Sequence, residues 1–289
     1  MANIGLSTIK SILSRFKTRN DDRYSGAITS SEDKRLLENL LSGHIPEGRE
    51  LTESWTSLKN RISIGDFSNI RLGDYKTVTL STGEVITMDV AGIDTYYRYG
   101  DVEIGHHVDF ISREVLFGGK KMNLSDINNG TAEEKHPWIA SEMYTVLNDE
   151  KTGIITTLPN ELQDCIIPKM AYLEERYSSE GTVSADTARS FASLGKLWFP
   201  SEIEVFGYVC YSDVMSSGGG VNIQYPIFRL DPRHIIKTDT ESNSKKHWWE
   251  LSAAANDSKR FCTADNNGTT GRGVATNSAH HATLCFRIG

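Results

Sequence analysis

Trp248-Trp249-Glu250-Leu251-Ser252, then Arg260-Phe261-Cys262, the turn Asp265-Asn266-Asn267-Gly268 and a closing Leu284-Cys285-Phe286-Arg287-Ile288 decide how this chain is read. Large aromatic and aliphatic residues at the two ends bracket a stretch of Asn, Ser, Thr, Ala, Gly and His. That distribution predicts a rigid frame holding a polar excursion at the surface, because aromatic runs supply buried area while polar connections run outside. Within the excursion, Asn256, Asp257, Asp265, Asn266, Asn267, Thr269, Arg272, Asn277, His280 and His281 offer donors and acceptors suited to sugar hydroxyls or a protein surface. Trp249 adds a stacking face. A plainer reading gives Trp248 and Trp249 to the core and makes the Asn-Gly and Gly-Arg-Gly stretches tight connections only.

Upstream of this stretch the hydrophobic period is two. Tyr75-Lys76-Thr77-Val78-Thr79-Leu80, the turn Ser81-Thr82-Gly83 and Glu84 to Val90 predict a hairpin, with β-branched residues on both arms and Gly at the bend. His107 to Ile111 and Glu114 to Phe117 extend the expected sheet. Two helices are expected next: one after Pro137, carrying Trp138, Ile139, Met143, Val146 and Leu147 on one face, and one from about Pro159, stopped by Pro168. Ser212 to Gly220 reads as a surface loop.

The first 67 residues differ in kind. Leu6, Ile9, Leu13 and Phe16 fall at three- and four-residue steps and place one apolar stripe on a helix from about Ile4 to Lys17. A second helix is capped at Ser30 or Ser31 and ended by Gly43, and a third, from about Thr52, presents Trp55, Leu58 and Ile62. Short amphipathic helices make a poor core alone, so their apolar faces are expected on the main domain, on one another across subunits, or on a scaffold protein. The expected organisation is an attachment and oligomerisation segment over 1–67 and a main domain over 68–289, in a homo-oligomer with a trimer as one option.

Composition narrows the classes. The 289 residues carry a formal charge of −7, with 38% hydrophobic and 24% charged residues, which suits a globular chain and opposes a nucleic-acid partner, since phosphate neutralisation needs a concentrated Lys/Arg face. No run approaches the roughly 20 apolar residues a membrane helix needs, and Met1-Ala2-Asn3-Ile4-Gly5 lacks the basic start of a signal peptide. Synthesis in a host cytoplasm is expected, without membrane insertion. Cys165, Cys210, Cys262 and Cys285 are singly spaced, which excludes a zinc ribbon. Cys262 and Cys285 are read either as a disulfide or, more simply, as small buried thiols.

The order of hairpin, Trp-containing helix ending at Leu147-Asn148, second helix, Leu197 to Gly207, Tyr225-Pro226-Ile227-Phe228, Trp248 to Ser252, Phe261-Cys262 and Phe286-Arg287 resembles a C-type-lectin-like domain family of uncharacterised phage and Firmicutes structural proteins. That family is similar in fold to phage tropism determinants and formylglycine-generating enzymes. The resemblance covers about 69 to 289 and departs at Leu284-Cys285-Phe286-Arg287, where Gly-Val-Arg-Pro is more usual. It implies an α+β, C-type-lectin-like fold: a twisted antiparallel sheet, two flanking helices and long C-terminal loops, preceded by the short helical segment. The function it implies is a virion structural protein, such as a head fibre, capsid-decorating or tail-tip component. Such a protein would be held to other virion proteins by its N-terminal segment and adhere to a host or mucosal surface glycan or protein through the loops. A purely structural cementing protein and an oxidase of the formylglycine-generating type are the other readings.

No enzyme is expected. The chain lacks Gly-x-Ser-x-Gly, a phosphate-cradling Gly loop with Lys-Ser or Lys-Thr, and His-Glu-x-x-His, and Cys262 and Cys285 do not match the closely spaced cysteine pair of the fold's oxidases. No cofactor is expected either. Many lectins grip sugars with calcium, and Asp265-Asn266-Asn267 supplies some oxygens, but the Glu-Pro-Asn and Trp-Asn-Asp patterns of calcium-dependent lectins are missing. His106 and His107 with Asp109 offer transition-metal ligands, but neighbours on a strand point to opposite faces, so a hydrogen-bonded surface pair is expected there and not a shared metal. Glu133-Glu134 and Glu174-Glu175 are read as solvated faces.

Overall fold

Alternation over Tyr75–Thr79 (β1) and Val85–Ile93 (β2) produces the expected hairpin, paired antiparallel from Thr79 opposite Val85 to Tyr75 opposite Asp89. Gly83 sits at the bend with φ 89, a left-handed conformation that costs glycine nothing. The chain is described here by a computed structural model covering residues 48–97, 105–177, 188–213 and 222–289. The first sheet continues from β2 through Val108–Ser112 (β3) and Cys285–Ile288 (β12) to Ile166–Ile167 (β4), so the last strand lies in its middle. Every pairing between strands is antiparallel and short helices pack around the sheets, which makes the fold mixed α+β.

One face of this sheet is covered by helix α1, Trp55–Ser63, capped by Ser54, whose Oγ accepts from Ser57 N. Trp55 meets Phe110 and Phe286 edge-on, at 5.4 and 5.6 Å between ring centroids, and those two rings stack on each other across β3 and β12. Leu58 and Ile62 are fully buried. The helix is therefore part of the body, which runs from Glu47 to Gly289 and so begins ahead of position 68. The proposed attachment residues Leu6, Ile9, Leu13 and Phe16, with the second expected helix, lie outside the described residues.

On the opposite face Asp109 and Arg287, direct partners across β3 and β12, form a bidentate pair at 2.7 and 2.8 Å. Helix α4, Glu202–Phe206, carries a capping box between Ser201 and Glu204 and ends at Gly207 in the left-handed region. Helix α5, Pro226–Leu230, places Pro at its first position. Between these helices and the sheet, Lys169 bonds Glu204 and the Tyr225 hydroxyl, while Tyr96 donates to Glu204 at 2.5 Å. The network is closed on itself, as buried polar groups must be.

The stretch expected as an irregular C-terminal loop is instead a second antiparallel sheet, and this corrects the sequence reading. Trp248–Ala253 (β9), Arg260–Ala264 (β10) and Thr270–Val274 (β11) pair in the order β11-β10-β9. Gly271 and Gly273 misled: a Cβ on Gly273 would lie 2.9 Å from His280 and 3.0 Å from Trp249. Glycine here marks a close approach of backbone to aromatic rings. Other expectations shift too. Glu114 to Phe117 forms only an isolated bridge, Val115 to Asp239. The helix expected after Pro137 starts at Glu142 (α2, Glu142–Asn148), because the Ser141 hydroxyl caps it. Helix α3, Asn160–Cys165, follows Pro159 as expected and passes into β4 before Pro168. Two small hairpins complete the body: Met170–Glu174 (β5) with Arg189–Ser193 (β6), and Lys237–Thr238 (β7) with Lys245–Lys246 (β8). Among the described residues no helix is long and apolar enough to cross a membrane.

Candidate functional site

The polar residues expected to form one binding surface are not brought together. Asp257 holds the Arg260 guanidinium at 2.6 Å and Lys259 N at 2.9 Å, with Arg272 3.7 Å away. Asp265 accepts from Asn267 N, Thr269 N and the Thr269 hydroxyl at 2.7–2.9 Å, so the oxygens that suggested calcium lock their own turn. Asn277 accepts from Ala279 N. Trp249 is fully buried and donates to the Lys120 carbonyl; His280 stacks on it at 4.4 Å, and His281 is buried with Nδ1 3.2 Å from the Leu116 carbonyl. The core reading of both tryptophans is the one the structure takes. Asn256, Asn267, Thr269 and Arg272 remain exposed, while Asn266 is half-buried. Asn256 and Asn267 lie in turns at opposite ends of β10, and Arg272 is on edge strand β11, where it leans over the Tyr211 ring.

A recess elsewhere is better formed. Pro137, Trp138, Leu173 and Leu251 wall a cleft of about 360 Å³, counting the part open to solvent, into which Glu174, Ser201, Asn222 and Ser252 bring polar groups. Its walls come from the α2 approach, the end of β5, the cap of α4 and β9. Glu174 is only 6% exposed, which corrects its reading as a solvated residue. Burial pushes its carboxyl up to about 7, with Asp213 adding to the rise and Arg176, 3.6 Å away, opposing it. Arg176 is itself buried and donates to the carbonyls of Ala254 and Asp257, which ties β5 to the second sheet. A carboxyl half-protonated near neutrality both donates and accepts, as do the hydroxyl and amide groups beside it.

Behind the cleft lies a buried cluster that pattern reading missed. Glu202, Glu250 and Cys262 bring one oxygen each and a sulfur to within 4.8 Å of one another, all three residues buried. The Glu202 carboxylate accepts from the backbone N–H groups of Cys210, Tyr211 and Ser212 and from the hydroxyls of Ser212 and Thr270, at 2.6–3.2 Å. Ser252 joins cluster to cleft, since its Oγ accepts from Glu202 N. Glu250 has neither oxygen hydrogen-bonded, and burial beside Glu202 drives its carboxyl well above the usual range. Burial likewise raises the Cys262 thiol, with Glu202 and Glu250 adding to the effect. These residues could hold a divalent cation. The one sequence signal for them was a glutamate inside Trp248-Trp249-Glu250-Leu251, a run otherwise made of core residues.

His106 and His107 go to separate partners, Asp94 and the Gly105 carbonyl, but His107 is fully buried and not at the surface, with its Nε2 accepting from Tyr96 N. Cys262 and Cys285 are free and buried. A family model described as a domain of unknown function (DUF6273) matches residues 110–287, which takes in most of β3, the cleft, the acidic cluster and most of β12. No curated protein and no solved structure matches the chain.

Proposed function

For a chain that belongs to the family described as a domain of unknown function (DUF6273), we propose a function read from the cleft itself: recognition of a polar terminal group of a surface glycan. The observation that carries this is the convergence of Glu174, Ser201, Asn222 and Ser252 on a recess with Trp138, Leu173 and Leu251 as walls. Ligand sites are concave and largely apolar, with a few placed polar groups that fix orientation. Sugar hydroxyls donate and accept at once, as the Asn222 amide and the Ser252 hydroxyl can, while the Ser201 hydroxyl is held in the α4 cap. The cleft is shallow, its volume including open solvent, which suits contact with the exposed end of a glycan and not enclosure of a whole ring.

The setting we propose is the one the lectin-like resemblance suggests, a virion surface protein carrying a glycan-binding domain on a lectin-type scaffold. Attachment to other virion proteins is then assigned to residues 1–46, because α1 is engaged in the body. A glycan array with the full chain tests the reading. Binding to a defined set of glycans should fall at least tenfold, about 1.4 kcal/mol, in Asn222→Trp, which fills the recess, with the unfolding midpoint kept. Binding should also change across pH 7 in the wild type and not in Glu174→Gln, following the Glu174 carboxyl. A chain that binds no glycan, or whose binding ignores Asn222→Trp, removes the proposal and leaves the cementing role.

A further inference from the structure

We propose that Glu202, Glu250 and Cys262 form a structural divalent-metal site suited to Zn²⁺. Three segments meet there for reasons the fold supplies. Glu202 opens α4, Cys262 lies on β10, and Glu250 lies on β9 where the ladder slips: Phe261 faces Ala253 but Thr263 faces Trp249, so a two-residue step on β10 spans four residues of β9. Such bulges re-aim side chains and recur at functional sites. Here the bulge lies beside a carboxylate turned inward toward Glu202 at the start of α4.

The decisive group is Glu250. It is fully buried and both its oxygens lack a hydrogen-bond partner, whereas the buried carboxylates of Asp109 and Glu204 are paired with Arg287 and Lys169. A proton on Glu250 satisfies one oxygen at most and leaves the other dry, which costs about 1–3 kcal/mol. A cation satisfies both. Glu202 and Glu250 offer oxygens and Cys262 its thiolate, three ligand residues in all, and the mixture of thiolate and carboxylate suits zinc, a borderline-soft ion. Bond lengths near 2.3 Å to sulfur and 2.0–2.2 Å to oxygen separate neighbouring ligands by roughly 3 to 4 Å, compatible with ligand atoms that all lie within 4.8 Å of one another.

Glu202 is already oriented as ligands are. Its carboxylate is fixed by three backbone N–H groups and two hydroxyls, most of them on Oε2, so a metal bond to Oε1 would take the place of Tyr211 N or the Thr270 hydroxyl there. A divalent ion against two carboxylates and a thiolate leaves one negative charge, which Arg176 opposes and Glu174, its 3.6 Å partner, adds to.

The full chain, produced in minimal medium supplemented with zinc or with cobalt, decides the matter. Stoichiometric zinc is expected, and the cobalt form should show the near-ultraviolet charge-transfer band of a thiolate ligand. Cys262→Ser should lose that band, Glu250→Gln should lower bound metal at least tenfold, and chelator should lower the unfolding midpoint of the wild type alone. A wild-type chain without bound metal whose midpoint ignores chelator overturns the site. So does a cobalt spectrum unchanged in Cys262→Ser. A Glu250→Gln chain as stable as the wild type would identify Glu250 as a neutral acid and likewise overturn it. Should both variants fail to fold, wild-type metal content and the cobalt band decide alone.

Discussion

Asp109 and Arg287 show what a single pair does in this molecule. Both are 1% exposed, and the guanidinium grips both carboxylate oxygens while the Tyr225 hydroxyl donates to Asp109 at 3.1 Å. Burial alone would push the Asp109 carboxyl up, but Arg287 outweighs it and holds the group at about 2. The pair therefore persists over the whole ordinary pH range. Its net worth is small, because two charges were taken out of water to make it, yet breaking one side strands the other. Arg287→Met should lower stability by about 3–5 kcal/mol in denaturant titration, whereas Asp109→Leu combined with Arg287→Met should recover most of that loss. A double variant as unstable as the single would mean the pair contributes real net energy. The sequence showed Arg287 as a departure from a family ending and Asp109 as a residue near two histidines; that they face each other depends on a pairing between strands 178 positions apart.

Among the elements, those built from local pattern were legible and those built from close approach were not. The β1–β2 hairpin follows from alternation and a bend glycine, and α3 from its spacing and two prolines. The second sheet was hidden because its outer strand, Thr270-Gly271-Arg272-Gly273-Val274, has the composition of a turn. What makes it a strand lies elsewhere: Trp249 and His280 stack into the space a side chain at 273 would occupy. Gly273→Ala consequently forces a methyl against two packed rings, and overpacking of this kind costs about 1–3 kcal/mol. The loss should appear in thermal unfolding, with near-ultraviolet circular dichroism reporting a disturbed Trp249. A fully tolerated alanine would mean β11 is loosely held after all. The candidate site was illegible for the same reason, since Glu174, Asn222 and Ser252 meet only after the β5 hairpin and the second sheet dock through Arg176.

At the scale of the whole body, the order of assembly follows from where the last strand sits. β12 lies between β3 and β4, so the first sheet stays split until the C-terminal residues arrive, and only then is there a continuous Phe110–Phe286 surface for α1 to cover. That surface is apolar and central. Burying Trp55 against it, with Leu58 and Ile62 beneath, contributes several kcal/mol by area, as a large aromatic and two aliphatic side chains do. The helix looked from sequence like part of a separate attachment segment, because amphipathicity shows which face is apolar without showing what the face meets. A chain shortened to 47–289 should therefore unfold cooperatively as one body, while one shortened to 68–289 should expose both phenylalanines, bind a hydrophobic dye and aggregate. Trp55→Ala in the full chain gives the graded version, with a loss of about 3–5 kcal/mol in denaturant titration. If 68–289 proved as soluble and cooperative as 47–289, α1 would be a detachable cover, and the attachment role assigned to 1–46 would have to extend through it.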